Sequence, residues 1–88
     1  ILNNYPNPFN PITTIEIRAS KIFAGTLNIF DVSGRLVRSF GEIGLKIGNN
    51  TYEWDGINSF GENVPSGVYL VTLNTELGII DRKIILLK

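Results

Sequence analysis

The chain has 88 residues, enough for one domain built on one hydrophobic core. Its 8 basic residues balance 8 acidic ones, which argues against a nucleic-acid binder with a basic footprint and against a polybasic membrane-surface module. With no Cys and no His, disulfides, thiol nucleophiles, Cys/His zinc sites and imidazole triads are excluded, while 43% hydrophobic against 18% charged residues marks a chain that folds.

The opening segment, residues 1–11, holds three of the four prolines, Pro6, Pro8 and Pro11. Each fixes φ and removes a backbone donor, so this segment runs extended along an edge and is no central strand. Tyr5 and Phe9 are its anchors, and Asn4, Asn7 and Asn10 satisfy local backbone groups. An extended proline-rich strand can be a partner-binding motif, but the prolines also discourage pairing by other chains, and the favoured reading is a plug over one end of the core. Thr13 to Ala19 alternates, with Ile15 and Ile17 facing one way and Thr14, Glu16 and Arg18 the other. Thr26 to Val32 is a second strand, the Asp31-Val32-Ser33-Gly34 turn reverses it, and Arg35 to Phe40 returns as the third.

Gly41 to Gly48 is looser, with a short strand around Leu45 and Ile47. Thr51 to Trp54 follows, placing Tyr52 and Trp54 on one face as a core pair. A long loop, Asp55 to Ser66, leads to a strand from Gly67 to Asn74. Glu76-Leu77-Gly78 turns the chain into a closing strand over Ile79 to Leu87. No apolar run approaches the ~20 residues of a membrane-spanning helix. The chain starts at Ile1 without a signal-peptide pattern, which reads as a piece of a longer protein. About seven short strands punctuated by turns predict an all-β fold: a single antiparallel β-sandwich.

Asn4-Tyr5-Pro6-Asn7-Pro8-Phe9-Asn10-Pro11, followed by Thr13 and Thr14, resembles the opening of the C-terminal sorting domain (type A) of the type IX secretion system. The likeness continues in order through Leu27 to Val37, Trp54-Asp55-Gly56, Gly61, Val64 to Tyr69, and Lys83 to Lys88. The pattern is also similar to the immunoglobulin-like domain of the flagellar hook-capping protein. Both relatives imply an immunoglobulin-like sandwich.

The sorting resemblance implies one domain, residues 1–88, at the C-terminus of a secreted cargo. It would be read in the periplasm by the type IX machinery and delivered outside or to the cell surface, with no membrane insertion of its own. It implies no catalysis and no cofactor, and the match at Lys83 to Lys88 implies a natural C-terminus. The family's loop after Trp54-Asp55-Gly56 usually carries acidic or amide residues before its second Gly. Here it reads Ile57-Asn58-Ser59-Phe60-Gly61, which weakens the case for a cation there.

Several residues invite a sharper reading. Asp31, Asp55 and Glu62 could be cast as an acid/base pair, but turn-fixing explains Asp31 and Asp55 better. Asp55, Asn58, Ser59 and Glu62 offer oxygens to Ca²⁺ without EF-hand spacing, and no metal site is assigned. Phe60, at a loop tip, is the candidate surface aromatic, expected to fold down over the sandwich edge. The apolar closing strand invites β-addition by a partner. Recognition is therefore placed on Gly67 to Lys88, with Gly67, Tyr69, Gly78, Lys83 and Lys88 as the contact candidates. A structural assembly module and an accessory carbohydrate-binding module are the alternative functions.

Overall fold

A computed structural model describes residues 12–87, together with the backbone of Leu2–Tyr5. The plug expected of Tyr5 and Phe9, the roles of Asn4, Asn7 and Asn10, and Lys88 lie outside the described side chains. Seven strands follow one another: β1 (Leu2–Tyr5), β2 (Thr13–Ala19), β3 (Phe23–Asp31), β4 (Leu36–Leu45), β5 (Gly48–Trp54), β6 (Gly67–Thr75) and β7 (Gly78–Leu86). They form a three-stranded sheet, β1-β2-β5, and a four-stranded sheet, β4-β3-β6-β7. Every pairing is antiparallel. This is the immunoglobulin-like sandwich, with β4 paired to β3 rather than to β5.

Alternation sets which side chains face the core. In β2, Thr13, Ile15, Ile17 and Ala19 point inward and are buried, and in β6 Tyr69, Val71 and Leu73 do the same. Leu27 and Ile29 of β3 and Ile84 and Leu86 of β7 flank the β6 residues in their own sheet and face β2 across the sandwich. Each such aliphatic contributes roughly 1.5–3 kcal/mol by leaving water. Trp54 is fully buried at the end of β5, and Tyr52, two residues earlier, is partly buried against the same core.

The third strand is longer than the alternation predicts. One strand, Leu36–Leu45, replaces the expected short strand and the looser stretch after it. Pairing with β3 carries it past Gly41, whose φ of 73° is open to glycine. The register shifts there: Leu27 opposes Gly41 while Asn28 opposes Ser39, leaving Phe40 as the extra residue of a β-bulge. Ile47, expected in a strand, lies in the β4–β5 turn and is 65% exposed.

The β3–β4 turn is held by one carboxylate. Asp31 Oδ1 accepts the Ser33 N–H (3.0 Å), the Ser33 hydroxyl (2.7 Å) and the Arg35 N–H (2.9 Å). Arg35 Nε donates to Asp31 Oδ2 at 3.3 Å. The Ser33 hydroxyl and then the Arg35 amide hold the Asp31 carboxyl below its ordinary 3.8.

The two sheets are joined across the core by Trp54 and Tyr69. Their rings meet edge to face, 5.3 Å apart and inclined at 70°. Trp54 Nε1 donates to the Ile57 carbonyl at 3.0 Å, and the Tyr69 hydroxyl donates to the Pro65 carbonyl four residues upstream. The second bond is the tyrosine corner of sandwich folds. Burial, and then the charge of Asp31, push the Tyr69 phenol up.

Two outcomes follow. Trp54→Ala removes a fully buried indole and should destabilise by about 3–5 kcal/mol in chemical denaturation; near-wild-type stability would show that the ring is not the core's centre. A carboxyl whose folded pKa is depressed stabilises above its unfolded value and loses that contribution as pH falls through the folded one. Stability should therefore drop below pH 3.8, and Asp31→Asn should flatten that part of the acid limb in thermal melts.

Candidate functional site

The β6–β7 hairpin carries most of the residues that sequence reasoning singled out. Its tip is tied by Thr75, whose Oγ1 accepts the Leu77 N–H and donates to the Gly78 carbonyl, both at 3.1 Å. Gly78 starts β7 with φ at 134°, a conformation L side chains rarely adopt, so its requirement is one of backbone. Gly67 opens β6 opposite Leu86 at the other end of the hairpin. Eight residue steps at ~3.4 Å separate the ends by roughly 27 Å, so Gly67 and Gly78 do not share one patch. Tyr69 is a core residue facing Ile84 across the pair, and Lys83 is exposed opposite Leu70.

β7 itself is unevenly covered. Ile84 and Leu86 are buried, but all six residues from Gly78 to Lys83 are exposed. Ile80 and Arg82 have the inward parity of Ile84, yet Ile80 is 37% exposed. The opposing sheet explains this. It has three strands against four, and β1, which approaches β7, is four residues long against nine. Among the described residues no strand pairs with the far side of Gly78–Arg82.

The loop from Asp55 to Ser66 is more ordered than its composition suggests. Asn58 Oδ1 accepts the N–H groups of Phe60 (2.9 Å) and Glu62 (3.0 Å), and its Nδ2 donates to Glu62 Oε1 at 3.2 Å. Ile57 and Asn63 form a bridge beneath this tip, and Val64 N–H donates to the Gly56 carbonyl. The loop is fastened to the edge of β4. Ser59 N–H donates to Val37 C=O (2.9 Å), and Ser59 Oγ accepts Ser39 N–H (3.3 Å). Arg38 Nη1 donates to the Ile57 carbonyl (3.2 Å) and lies 3.6 Å from Asp55 Oδ1. Asp55 Oδ1 also accepts Ile57 N–H, the turn-fixing role expected of it.

Phe60 corrects an expectation. It does not fold over the sandwich edge but stands 87% exposed at the loop tip. The bonds from Asn58 fix the backbone on both sides of it, and docking of Ser59 on β4 occupies the edge the ring would have covered. Below it lies a cavity of about 750 Å³ lined by Val32, Leu36, Phe60, Glu62 and Val68 among others. Arg38 and Ser59, which fasten the loop, were not foreseen. Only the tertiary pairing of β4 brings them within reach of it.

Among the described residues no three His, Cys, Asp or Glu side chains are placed to hold a metal ion. The oxygens considered for Ca²⁺ are committed locally: Asn58 to its own loop and to Glu62, Asp55 to Ile57 and Arg38. No helix among the described residues is long and apolar enough to cross a membrane.

Comparison with known proteins agrees with this architecture. A solved structure of dimeric latent PorU from Porphyromonas gingivalis superposes with a TM-score of 0.74 at 24% identity, covering 98% of this chain and 9% of that one. PorZ, described as an essential bacterial surface component of the type-IX secretion system of the same organism, gives 0.68 at 21% identity, covering 99% and 11%. The chain thus spans about a tenth of each of these proteins, and at such identity the likeness is one of fold. No curated protein matches. Residues 3–87, nearly the whole chain, match the secretion system C-terminal sorting domain, and the chain belongs to that family.

Proposed function

We propose that this domain is a non-catalytic sorting signal, read in the periplasm as a folded surface by the type IX secretion machinery. It directs a cargo fused on its N-terminal side to the exterior or the cell surface. The observation that carries the reading is the family match over residues 3–87. The exposed first six residues of β7 supply a physical means of recognition. An extended edge strand offers backbone donors and acceptors that another strand can pair with, and its side chains supply specificity. In this reading Lys83 and Lys88 orient the partner by charge, Gly78 shapes the hairpin tip, and Gly67 and Tyr69 hold β6 in place beside β7.

A second reading rests on Phe60. An 87% exposed ring above a cavity of about 750 Å³ is a platform on which a sugar could stack, as in an accessory carbohydrate-binding module. The assembly role suggested by the hook-capping likeness rests on shared motif order alone.

The test is a transplant. Residues 1–88 are fused to the C-terminus of a periplasmic reporter in a host with a working type IX system. The intact domain should send the reporter outside, and Ile79→Ser with Lys83→Glu should cut export at least tenfold while leaving the thermal melt unchanged. A folded domain that stays in the periplasm sinks the sorting reading. Unchanged export by the double variant removes β7 from recognition. Retention on insoluble polysaccharide that Phe60→Ala abolishes would favour the second reading.

A further inference from the structure

Antiparallel succession brings the β2–β3, β4–β5 and β6–β7 turns to one end of the sandwich. Each turn sets an aliphatic side chain outward: Ile22 at 77% exposure, Ile47 at 65% and Leu77 at 66%. The β2–β3 and β6–β7 turns occupy positions that carry two of the binding loops of antibody variable domains. With strands about 4.8 Å apart, β4 and the β6–β7 tip lie within roughly 12 Å laterally. Ile22 and Lys46 line one shallow cavity, which ties the first two turns together. Ile79, 65% exposed, continues the apolar surface from Leu77 along β7.

Two of the tips are held in place. Asn50, buried at 7% exposure, accepts Lys46 N–H at 3.1 Å through Oδ1. Its Nδ2 lies within hydrogen-bonding distance of the carbonyls of Lys46 (2.9 Å), Ile17 (3.2 Å) and Gly48 (3.3 Å). That clamps the turn bearing Ile47 onto β2. Thr75 clamps the turn bearing Leu77. Apolar side chains on preorganised turns bind with less ordering cost than mobile ones.

Charge selects the occupant. Lys21 and Lys46 each precede an exposed isoleucine, against Glu76 alone in these three turns. At the opposite end Arg35 and Arg38 already face Asp31 and Asp55. The three turns thus carry a positive excess although the chain is neutral overall. We infer that the end bearing Ile22, Ile47 and Leu77 is a docking surface for a protein whose face sets carboxylates around an apolar patch. Two lysines beside a glutamate fall short of the clusters of 4–8 cations by which basic segments hold anionic lipid. The inference rests on the sorting reading only in taking that partner to be an envelope protein.

The test measures binding of the 88-residue domain to everted outer-membrane vesicles from a type IX host, periplasmic face outward, intact and protease-shaved, and to protein-free anionic liposomes. Intact vesicles should bind, with affinity falling as salt rises. Ile22→Ser, Ile47→Ser and Leu77→Ser together should weaken binding at least tenfold at unchanged thermal stability, as should Lys21→Glu with Lys46→Glu. Val32→Ser with Phe60→Ser, at the far end, should leave it intact. The inference is overturned by absent vesicle binding, by equal binding to shaved vesicles or liposomes, by tip-dependent self-association, or by a folded triple variant that binds as tightly as the parent. Reporter export with all three tips changed to serine sinks this inference and keeps the sorting reading. Tip-dependent vesicle binding by a domain that exports nothing does the reverse.

Discussion

The contact between Trp54 and Tyr69 governs the rest of the fold. It lies where the chain leaves the three-stranded sheet at the end of β5 and re-enters the four-stranded one in β6. A crossing of that kind threatens to leave backbone groups of the loop unpaired near the core, which is expensive. The indole N–H takes the Ile57 carbonyl on one side of the crossing, and the tyrosine hydroxyl takes the Pro65 carbonyl on the other. One aromatic pair thus fills the centre of the core and ties down both ends of the longest loop. Phe60 stands on that loop, its backbone held by Asn58 and by the docking of Ser59 on β4.

The same loop solves a second problem, the open edge of β4. Exposed strand edges invite uncontrolled pairing, and proteins blunt them with bulges, charges or covering loops. β4 has a bulge at Gly41, and its Val37 and Ser39 are engaged by Ser59. Among the described residues the first half of β7 has neither device. It presents Ile79 and Ile80 beside Asp81, Arg82 and Lys83, whose charges moderate it. Among the described residues this sheet therefore has a closed edge and an open one. That asymmetry is what a module needs if a partner strand is to add on one side only.

Much of this was legible in the residues. Thr13 to Ala19 was delimited by alternation alone, and the Trp54 and Tyr52 pair was correctly read as facing the core, because period-two patterning reports directly on a face packed against apolar neighbours. Asp31 and Asp55 as turn-fixing carboxylates followed from the local reach of a short acidic side chain. What stayed hidden was non-local. The continuity of β4 through Gly41 and Gly44 depends on pairing with β3, which overrides the local preference of glycine for turns. The outward stance of Phe60 depends on docking the loop against β4, nineteen and twenty residues away in sequence. The exposed half of β7 could not be read from a run of isoleucines, since a short apolar run describes a buried strand equally well. Only the width and length of the opposing sheet decide that.

Net charge is likewise a coarse guide. A formal charge of zero says that no long-range field dominates, and it excludes partners that need one. It says nothing about how charge is arranged over a domain 36 Å long, several times the ~8 Å over which exposed charges act at physiological ionic strength. In an antiparallel sandwich, alternate turns go to opposite ends, so the residues of alternate turns accumulate there irrespective of the overall balance. Here Lys21 and Lys46 fall in turns of one parity, while Asp31, Asp55 and Glu62 fall at or in connections of the other. Strand order thus gathers lysines at one end of a neutral domain. The two ends present different chemistry, lysines set beside aliphatic tips at one and an exposed aromatic ring above a carboxylate-bearing cavity at the other.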